Sequence, residues 1–376
     1  MPGFSTRLLY ADRKTMDRVP DVVSPINVAT TYRYPDKVED FVMAKDVDPA
    51  SLTTDRPLYS RLSHPNSSKC EAVLGDIVGG HAVAYNSGLS AFYAAVTYYN
   101  PKTVAIGHGY HGVHGILDIL TRNYGIKQVR LDQLDQLSKG DVVHIETPEN
   151  PYSEVHDIAK YVKKAHEIGA YVIVDATFAP PPLQDPWEFD VDMVMHAATK
   201  YFGGHSDLLA GVLVTKDPKV KTQLVNDRVF LGTNIANLES FLLLRSLRTY
   251  ELRIKRQSSN AEKIVAYLDS HRQDYPALKV LHHSSLQKDE YVAKQMKGGH
   301  SPVFAIELEN EDQAKNFPSK LKYFQHSTSL GGVESLIEWR CLSDPTARPA
   351  LLRISVGVED AEDLIGDLDG ALKALK

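Results

Sequence analysis

Three short segments of this chain hold residues that could do chemistry together. In Val194-Met195-His196-Ala197-Ala198-Thr199-Lys200-Tyr201 an apolar run ends on a threonine and a lysine. A lysine brought to the end of a buried strand is costly to keep charged and alone. Such lysines are neutral, paired or covalently engaged, and a neutral amine forms Schiff bases with carbonyl compounds. In Val172-Ile173-Val174-Asp175-Ala176-Thr177-Phe178 a β-branched run ends on Asp175, and a carboxylate there needs a cation or a hydrogen-bonding network. A metal would serve. So would a protonated pyridine nitrogen, held positive by Asp175 and thereby made an electron sink. The third segment runs from Ala82 to Tyr85 into Asn86-Ser87-Gly88-Leu89 and then a helix-forming stretch, Ser90 to Val96. A glycine at a strand-to-helix turn lets the backbone approach an anion, and the free N–H groups and dipole of the helix start favour phosphate. Taken singly, each segment has a plainer reading: a capped helix, a turn-capping aspartate, an exposed helix-end lysine.

These groups require strands to deliver them. Short apolar runs at Ala82 to Tyr85, Thr103 to Ile106, Val142 to Ile145, Tyr171 to Val174, Met193 to Met195 and Gly211 to Val214 alternate with segments of helical length. The pattern predicts an α/β fold, a mostly parallel sheet with helices on both faces, whose functional groups sit just past the strand ends. Leu238 to Leu268 reads as one long helical stretch bridging two domains, with Arg245, Arg248, Arg253, Lys255 and Arg256 along it. Beyond it, Val303 to Leu308 and Leu352 to Val356 read as strands and Asp360 to Leu375 as a closing helix, giving a smaller C-terminal α+β domain. The expected division is an extended arm over residues 1–60, a large cofactor-binding domain over 61–245 and a small domain over 246–376.

Bulk properties narrow the chemistry. The 376 residues are 43% apolar and 24% charged, a globular balance, with a formal net charge of -6 that offers no basic face to nucleic acid or anionic membrane. Cys70 and Cys341 are the only cysteines, so neither a disulfide framework nor zinc-ligand spacing is present. No stretch approaches the roughly 20 apolar residues of a membrane span, and Met1 to Tyr10 lacks the apolar run of a signal peptide. A cytoplasmic protein acting on small molecules is expected. His108, His111 and His114 recur every third residue on a glycine-punctuated loop, a spacing that fixes no coordination geometry, so no metal site is expected. Cys70, beside Val73 and Leu74, reads as a core thiol.

The order helix-start phosphate site, strand-end aspartate, strand-end lysine resembles that of fold-type I pyridoxal phosphate (PLP) enzymes, whose fold is aspartate-aminotransferase-like. Further motifs make the resemblance specific. Tyr59-Ser60-Arg61, Ser87-Gly88-Leu89, Glu146-Thr147-Pro148-Glu149-Asn150-Pro151, the Asp175 and Lys200 segments, Ser329-Leu330-Gly331-Gly332-Val333-Glu334-Ser335 and Leu352-Arg353-Ile354-Ser355-Val356-Gly357 are similar to the Cys/Met-metabolism family of PLP enzymes. That family includes cystathionine γ-synthases, β-lyases and γ-lyases, and the resemblance runs from about Pro25 to Glu359.

The resemblance implies that Lys200 carries PLP as a Schiff base and later acts as catalytic base, and that Asp175 holds the pyridine nitrogen. It implies that Gly88 and Leu89 give backbone donors to the phosphate, joined by Thr199, with Ser87 and Thr177 also among the cofactor contacts. Tyr110 would stack on the ring and join in proton transfer. Asn150 would lie near the ring hydroxyl and the substrate, Arg353 would clamp the substrate α-carboxylate, and Thr328 and Ser329 would line the substrate pocket. Tyr59 and Arg61 match positions that reach into a neighbouring subunit's site, so a homodimer is the implied minimum and a tetramer the expected assembly. Departures are Ala197 for a common phosphate-binding serine, His64 for an asparagine, Val113, Ser246, Thr328 where glutamate or valine is frequent, and Glu338-Trp339-Arg340-Cys341-Leu342-Ser343-Asp344-Pro345 in place of a longer Met-Thr-His stretch. The expected activity is γ-replacement on an O-acyl-L-homoserine with L-cysteine to give cystathionine. A carbon–sulfur lyase is the alternative, as is γ-substitution by a carbon nucleophile. An idle family member kept for binding would not need Tyr59, Arg61, Asp175, Lys200 and Arg353 together.

Overall fold

The computed structural model describes residues 2–12, 21–46 and 57–375. Two sheets organise the chain. The first has seven strands: β1 (His81–Tyr85), β2 (Thr103–Ile106), β3 (Lys127–Arg130), β4 (Val142–Glu146), β5 (Tyr171–Asp175), β6 (Met193–His196) and β7 (Gly211–Thr215), in the order β1-β7-β6-β5-β4-β2-β3. All neighbours are parallel except that β7 runs against both β1 and β6. The C-terminal ends of β1, β2, β4, β5 and β6 therefore share one edge with the N-terminal end of β7. Strand residues alternate between two cores. Ala84, Val143, Val172, Val174 and Val212 face a cluster with Cys70 and Val73 of α2 (Pro65–Val78), Val162 of α5 (Ile158–Ile168) and Leu243 of α7 (Asn237–Leu247). Val83, Val104, Ile173, Met195 and Leu213 face Phe92 of α3 (Gly88–Tyr99), Leu117 of α4 (His111–Tyr124) and Leu224 of α6 (Pro218–Leu231). This is the doubly covered sheet that the apolar runs imply, its strands buried on both faces except for the partly exposed edge strand β3.

The second sheet orders β8 (Leu278–His282), β9 (Val303–Leu308), β10 (Gln325–His326), β11 (Leu336–Trp339) and β12 (Leu351–Ser355) as β10-β11-β12-β9-β8. Its apolar face packs on α8 (Tyr250–Ser270) and α11 (Ala361–Lys373) through Ile264, Val265, Leu364 and Leu368. The two short helices α9 (Glu290–Gln295) and α10 (Glu311–Asn316) complete the set.

Two expectations change. The stretch read as one helix from Leu238 to Leu268 breaks at Arg248-Thr249 between α7 and α8. There the Ser246 carbonyl leaves the helical ladder for the Arg253 guanidinium and the Thr249 amide, and Arg248 turns away to the Leu8 carbonyl and Asp12. Tertiary partners outbid helix propensity at that point. The arm expected to be extended contains α1 (Phe4–Tyr10), which buries Leu8 beside α2; residues 13–20 and 47–56 of that arm lie outside the described residues.

Candidate active site

At the end of β1 the chain turns into α3 at Ser87, whose hydroxyl oxygen accepts the Ser90 N–H at 3.1 Å. The N–H groups of Gly88 and Leu89 meet no acceptor among the described residues, so the first turn of α3 keeps two free donors. The turn is tight here: a Cβ at position 88 would stand 3.1 Å from the Ala197 Cβ. Ala197 thus borders the same turn. Beside it, Gly211 begins β7 so close that a Cβ there would lie 2.2 Å from the Ser87 carbonyl oxygen. Thr199 joins this wall but spends its hydroxyl on Ala210, accepting the amide at 3.0 Å and donating to the carbonyl at 3.1 Å.

One strand over, β5 ends on Asp175, which is buried. Its Oδ1 accepts the Thr177 amide at 3.0 Å and the Thr177 hydroxyl at 2.5 Å, and that hydroxyl in turn accepts the Ala197 amide at 2.8 Å. Thr177 so locks the aspartate to the turn that leads to Lys200. Oδ2 has no hydrogen-bond partner among the described residues. Burial pushes the Asp175 carboxyl up to about 6 against the pull of the Thr177 bonds. In register beside it on β4 stands Glu146, also buried. Its two oxygens accept the Tyr110 amide at 2.7 Å and the Asn150 amide at 2.9 Å. Burial first, and then the Asp175 charge, hold its carboxyl well above the usual carboxylate range.

Lys200 follows β6 in a turn that Arg253 fastens from α8, with Nη1 on the Tyr201 carbonyl at 2.8 Å and Nη2 on the Ser246 carbonyl and hydroxyl at 3.0 and 2.8 Å. The Ser246 hydroxyl also bonds the Gly203 carbonyl. Lys200 Nζ donates to Ser329 Oγ at 2.9 Å. Burial, then the Arg353 guanidinium, bring its ammonium down to about 8, with Glu338 acting the other way. Ser329 sits at φ 80°, a left-handed conformation that costs a non-glycine residue on the order of 1 kcal/mol and points to a constrained functional turn. Arg353, buried on β12, donates to Asn150 Oδ1 at 2.9 Å, to the Ser329 carbonyl at 2.9 Å and to Glu338 Oε2 at 2.6 Å. Lys200, Ser329, Arg353 and Asn150 are thus one bonded chain bridging the two sheets.

Tyr110 stands at the N-terminus of α4 and is 41% exposed, its backbone tied to Glu146 and its ring tilted against that of His111 at 4.8 Å between centroids. Thr328 is exposed and makes no hydrogen bond among the described residues. Tyr59 and Arg61 stand apart: Arg61 donates to the Val229 carbonyl at 2.8 Å and lies over the Tyr59 ring, and no bond joins either to Lys200, Asp175 or Ser87 of the same chain. His64 caps α2, its Nδ1 accepting the Ser67 amide at 3.3 Å. Sequence reasoning passed over Glu146, Glu338 and Arg253. Glu146 carried the signal that marked Asp175, an acid closing an apolar run; Glu338 and Arg253 carried none, because only the cross-strand register and the Arg248-Thr249 break bring them to the site.

The donor set fits PLP. Two unpartnered N–H groups at a helix start suit a phosphate, an acid with one open oxygen and an elevated pKa lacks a cation, and an amine near neutrality suits an aldehyde. Gly88, Leu89 and Ser87 would hold the phosphate end, Asp175 the ring nitrogen, and Lys200 the aldehyde carbon. Such a constellation on this fold defines a PLP-dependent enzyme. Residues 5–373 match the family described as Cys/Met metabolism PLP-dependent enzyme. Cystathionine gamma-synthase of Escherichia coli is 36% identical, over 94% of this chain and 93% of that protein. The chloroplastic cystathionine beta-lyase of Arabidopsis thaliana is 31% identical, over 98% of this chain and 80% of that protein. The crystal structure of cystathionine gamma synthase from Xanthomonas oryzae pv. oryzae with aminoacrylate and cysteine superposes with a TM-score of 0.86 at 29% identity, covering 99% of this chain and 98% of that one. The chain belongs to the Cys/Met metabolism family of PLP-dependent enzymes. No helix among the described residues is long and apolar enough to cross a membrane.

Proposed function

We propose that the protein catalyses γ-replacement, joining an O-acyl-L-homoserine to L-cysteine to give cystathionine and the free carboxylic acid. The observation that carries this reading is the 36% identity to a cystathionine gamma-synthase over 94% of the chain, against 31% to the plant lyase. Bound at the site, PLP supplies an aldehyde that captures amines and a ring that accepts the charge developing at Cα.

The protein's own residues do the rest. Arg353 binds the α-carboxylate, its guanidinium aimed by Asn150, Ser329 and Glu338, which fixes the amino acid before any bond changes. Asp175 keeps a proton on the ring nitrogen opposite, so that charge is drawn away from Cα. Lys200 Nζ would take the Cα proton, give it up on the cofactor side and, neutral again, take one from Cβ; an amine depressed to about 8 is matched to that work near neutral pH. Its bond to Ser329 Oγ parks it between transfers. The acyl group leaves Cγ as a carboxylate, the cysteine sulfur adds there after losing its proton, and Lys200 returns protons to Cβ and Cα. Tyr110, part-exposed beside the site, would pack against the bound cofactor.

We also infer that the smallest complete unit is a homodimer that pairs into a tetramer in the cytoplasm, with Tyr59 and Arg61 serving the neighbouring subunit. Their distance in bonding from Lys200 supports this, as do the exposed apolar side chains of Val28, Phe41, Phe230 and Leu231.

The test is product analysis by mass spectrometry after incubating PLP-loaded protein with O-acyl-L-homoserines, with and without L-cysteine, and with cystathionine alone. Cysteine-dependent cystathionine is the expected result. Cleavage of cystathionine with the acyl-homoserines intact would replace this reading with carbon–sulfur lyase.

A further inference from the structure

The segment after β11, where this chain departs from the stretch common in its family, places a second guanidinium beside the first. Glu338 and Arg353 are cross-strand partners on β11 and β12, both buried. Glu338 Oε2 accepts from Arg353 Nη2 at 2.6 Å and from Arg340 Nη1 at 2.9 Å, while Oε1 takes the Ser343 hydroxyl at 2.5 Å. Arg340 is 3% exposed. Its Nη2 lies 3.4 Å from Asp344 Oδ2, its Nη1 3.2 Å from Ser343 Oγ, and its Nε is buried with no partner. A guanidinium this deeply buried and incompletely satisfied is not there for stability, since burying a charge without full hydrogen bonding is costly.

What the arrangement changes is the charge that Arg353 presents. A lone Glu338 bonded to Arg353 would form a neutral buried pair, a poor receptor for a third charge. With Arg340 on the same oxygen, two guanidiniums share one carboxylate, and two positive charges less one negative leave one positive charge next to the place where a substrate carboxylate docks. We propose that Arg340 is a positioning residue for amino-acid recognition: by sharing Glu338 it prevents that carboxylate from neutralising Arg353, which then meets the substrate's α-carboxylate as a net cation. Asp344, at longer range and partly exposed, balances Arg340 only in part. The inference rests on the proposed role of Arg353 and not on which reaction follows.

It is tested by binding, not turnover. L-alanine, and ethylamine as its counterpart without a carboxylate, are titrated into the PLP-loaded protein and followed by the change in the cofactor's visible absorbance. Arg340→Met should weaken L-alanine binding about tenfold and leave ethylamine within about twofold, since only the carboxylate feels the missing charge. Adding Glu338→Gln to Arg340→Met removes the unshared carboxylate and should bring L-alanine back to within about threefold of the parent. A merely structural Arg340 would predict the opposite, a double variant worse than the single. Unchanged L-alanine affinity in Arg340→Met, equal losses for both ligands, or no recovery in the double variant would each overturn the proposal. If Arg340→Met does not fold, Arg340→Lys carries the test: an ammonium can still share Glu338, and a loss of more than about tenfold for L-alanine would count against the idea. Arg353→Met reads the foundation separately, because L-alanine affinity unmoved by that change would remove Arg353 from carboxylate binding altogether.

Discussion

The two sheets bring buried acids to opposite sides of one site, and the acids behave in opposite ways. On the first sheet Asp175 and Glu146 end neighbouring strands with no cation ion-paired to either among the described residues, and burial raises both. On the second, Glu338 is just as inaccessible but is held below the usual carboxylate range, because Arg353, the Ser343 hydroxyl and Arg340 together outweigh its desolvation. On the second sheet the acid is paired within the chain. On the first it is not: no side chain among the described residues pairs with Asp175 or Glu146 as a cation, and a protonated ring nitrogen would bring that charge. On the proposed assignment, one side of the site serves the cofactor and the other the amino acid.

The largest effect should come from removing the charge on the incomplete side. Asp175→Asn keeps the shape and the Thr177 contacts but cannot hold a proton on the ring, and we expect kcat to fall about a thousandfold while PLP is still retained, comparable to the loss of one preorganised electrostatic group. Glu338→Gln leaves Arg353 its Asn150 and Ser329 partners and removes a negative charge beside it, and should leave kcat within about threefold, with any change confined to KM. Steady-state kinetics on the two variants decide the matter. Equal losses in kcat would erase the distinction between the sides.

The distinction also marks how far the sequence could be read. The first sheet was legible because three of its strands are short apolar runs that lead into a functional residue: Val172 to Asp175, Val194 to Lys200 and Ala82 to Gly88 announce both strand and site within a few residues, whereas the polar edge strand β3 carried no such signal. The second side depends on long-range register. Arg353 could be assigned only by resemblance, and its partners Asn150, Glu338 and Ser329 come from three separate segments, joined by antiparallel pairing that no local pattern encodes. The unbroken helical pattern from Leu238 was misleading for the same reason. The break at Thr249 exists because Arg253 must reach the Lys200 turn and Arg248 must reach α1, both tertiary demands. The short β10 had no pattern to find.

A smaller effect tests the same comparison without substrate. The folded Asp175 carboxyl lies at about 6, above the roughly 3.9 of an unfolded aspartate. The folded state therefore binds its proton more tightly. Stability from this group is complete below pH of about 4 and is lost as pH rises through about 6, the reverse of the usual carboxylate. Cofactor-free protein should accordingly lose stability between pH 5 and pH 8, by about 1.4 kcal/mol, relative to Asp175→Asn, whose amide does not titrate. Thermal melts of the two proteins at both pH values read this as a few degrees. Loading with PLP should abolish the difference, since a positive ring nitrogen stabilises the ionised form. A Tm gap that ignores both pH and cofactor would mean that Asp175 already has its cation within the protein.

The smallest effect expected lies at Ala197, on the phosphate side of the cofactor half. Its Cβ stands where a Cβ on residue 88 would reach it at 3.1 Å, beside the free Gly88 and Leu89 amides, and its own amide is already fixed by Thr177. A hydroxyl added there would stand at the edge of the turn proposed to hold the phosphate, at a position that needs no backbone movement. Ala197→Ser should therefore tighten PLP retention by about one charge-assisted hydrogen bond, a fewfold to about tenfold in the dissociation constant, with kcat little changed. Dilution of the holoenzyme followed by absorbance measures it directly. Because Thr199 already spends its hydroxyl on Ala210, the added serine would be the nearest uncommitted hydroxyl on that turn. Unaltered retention would place the phosphate away from Ala197 and narrow its anchorage to the α3 amides.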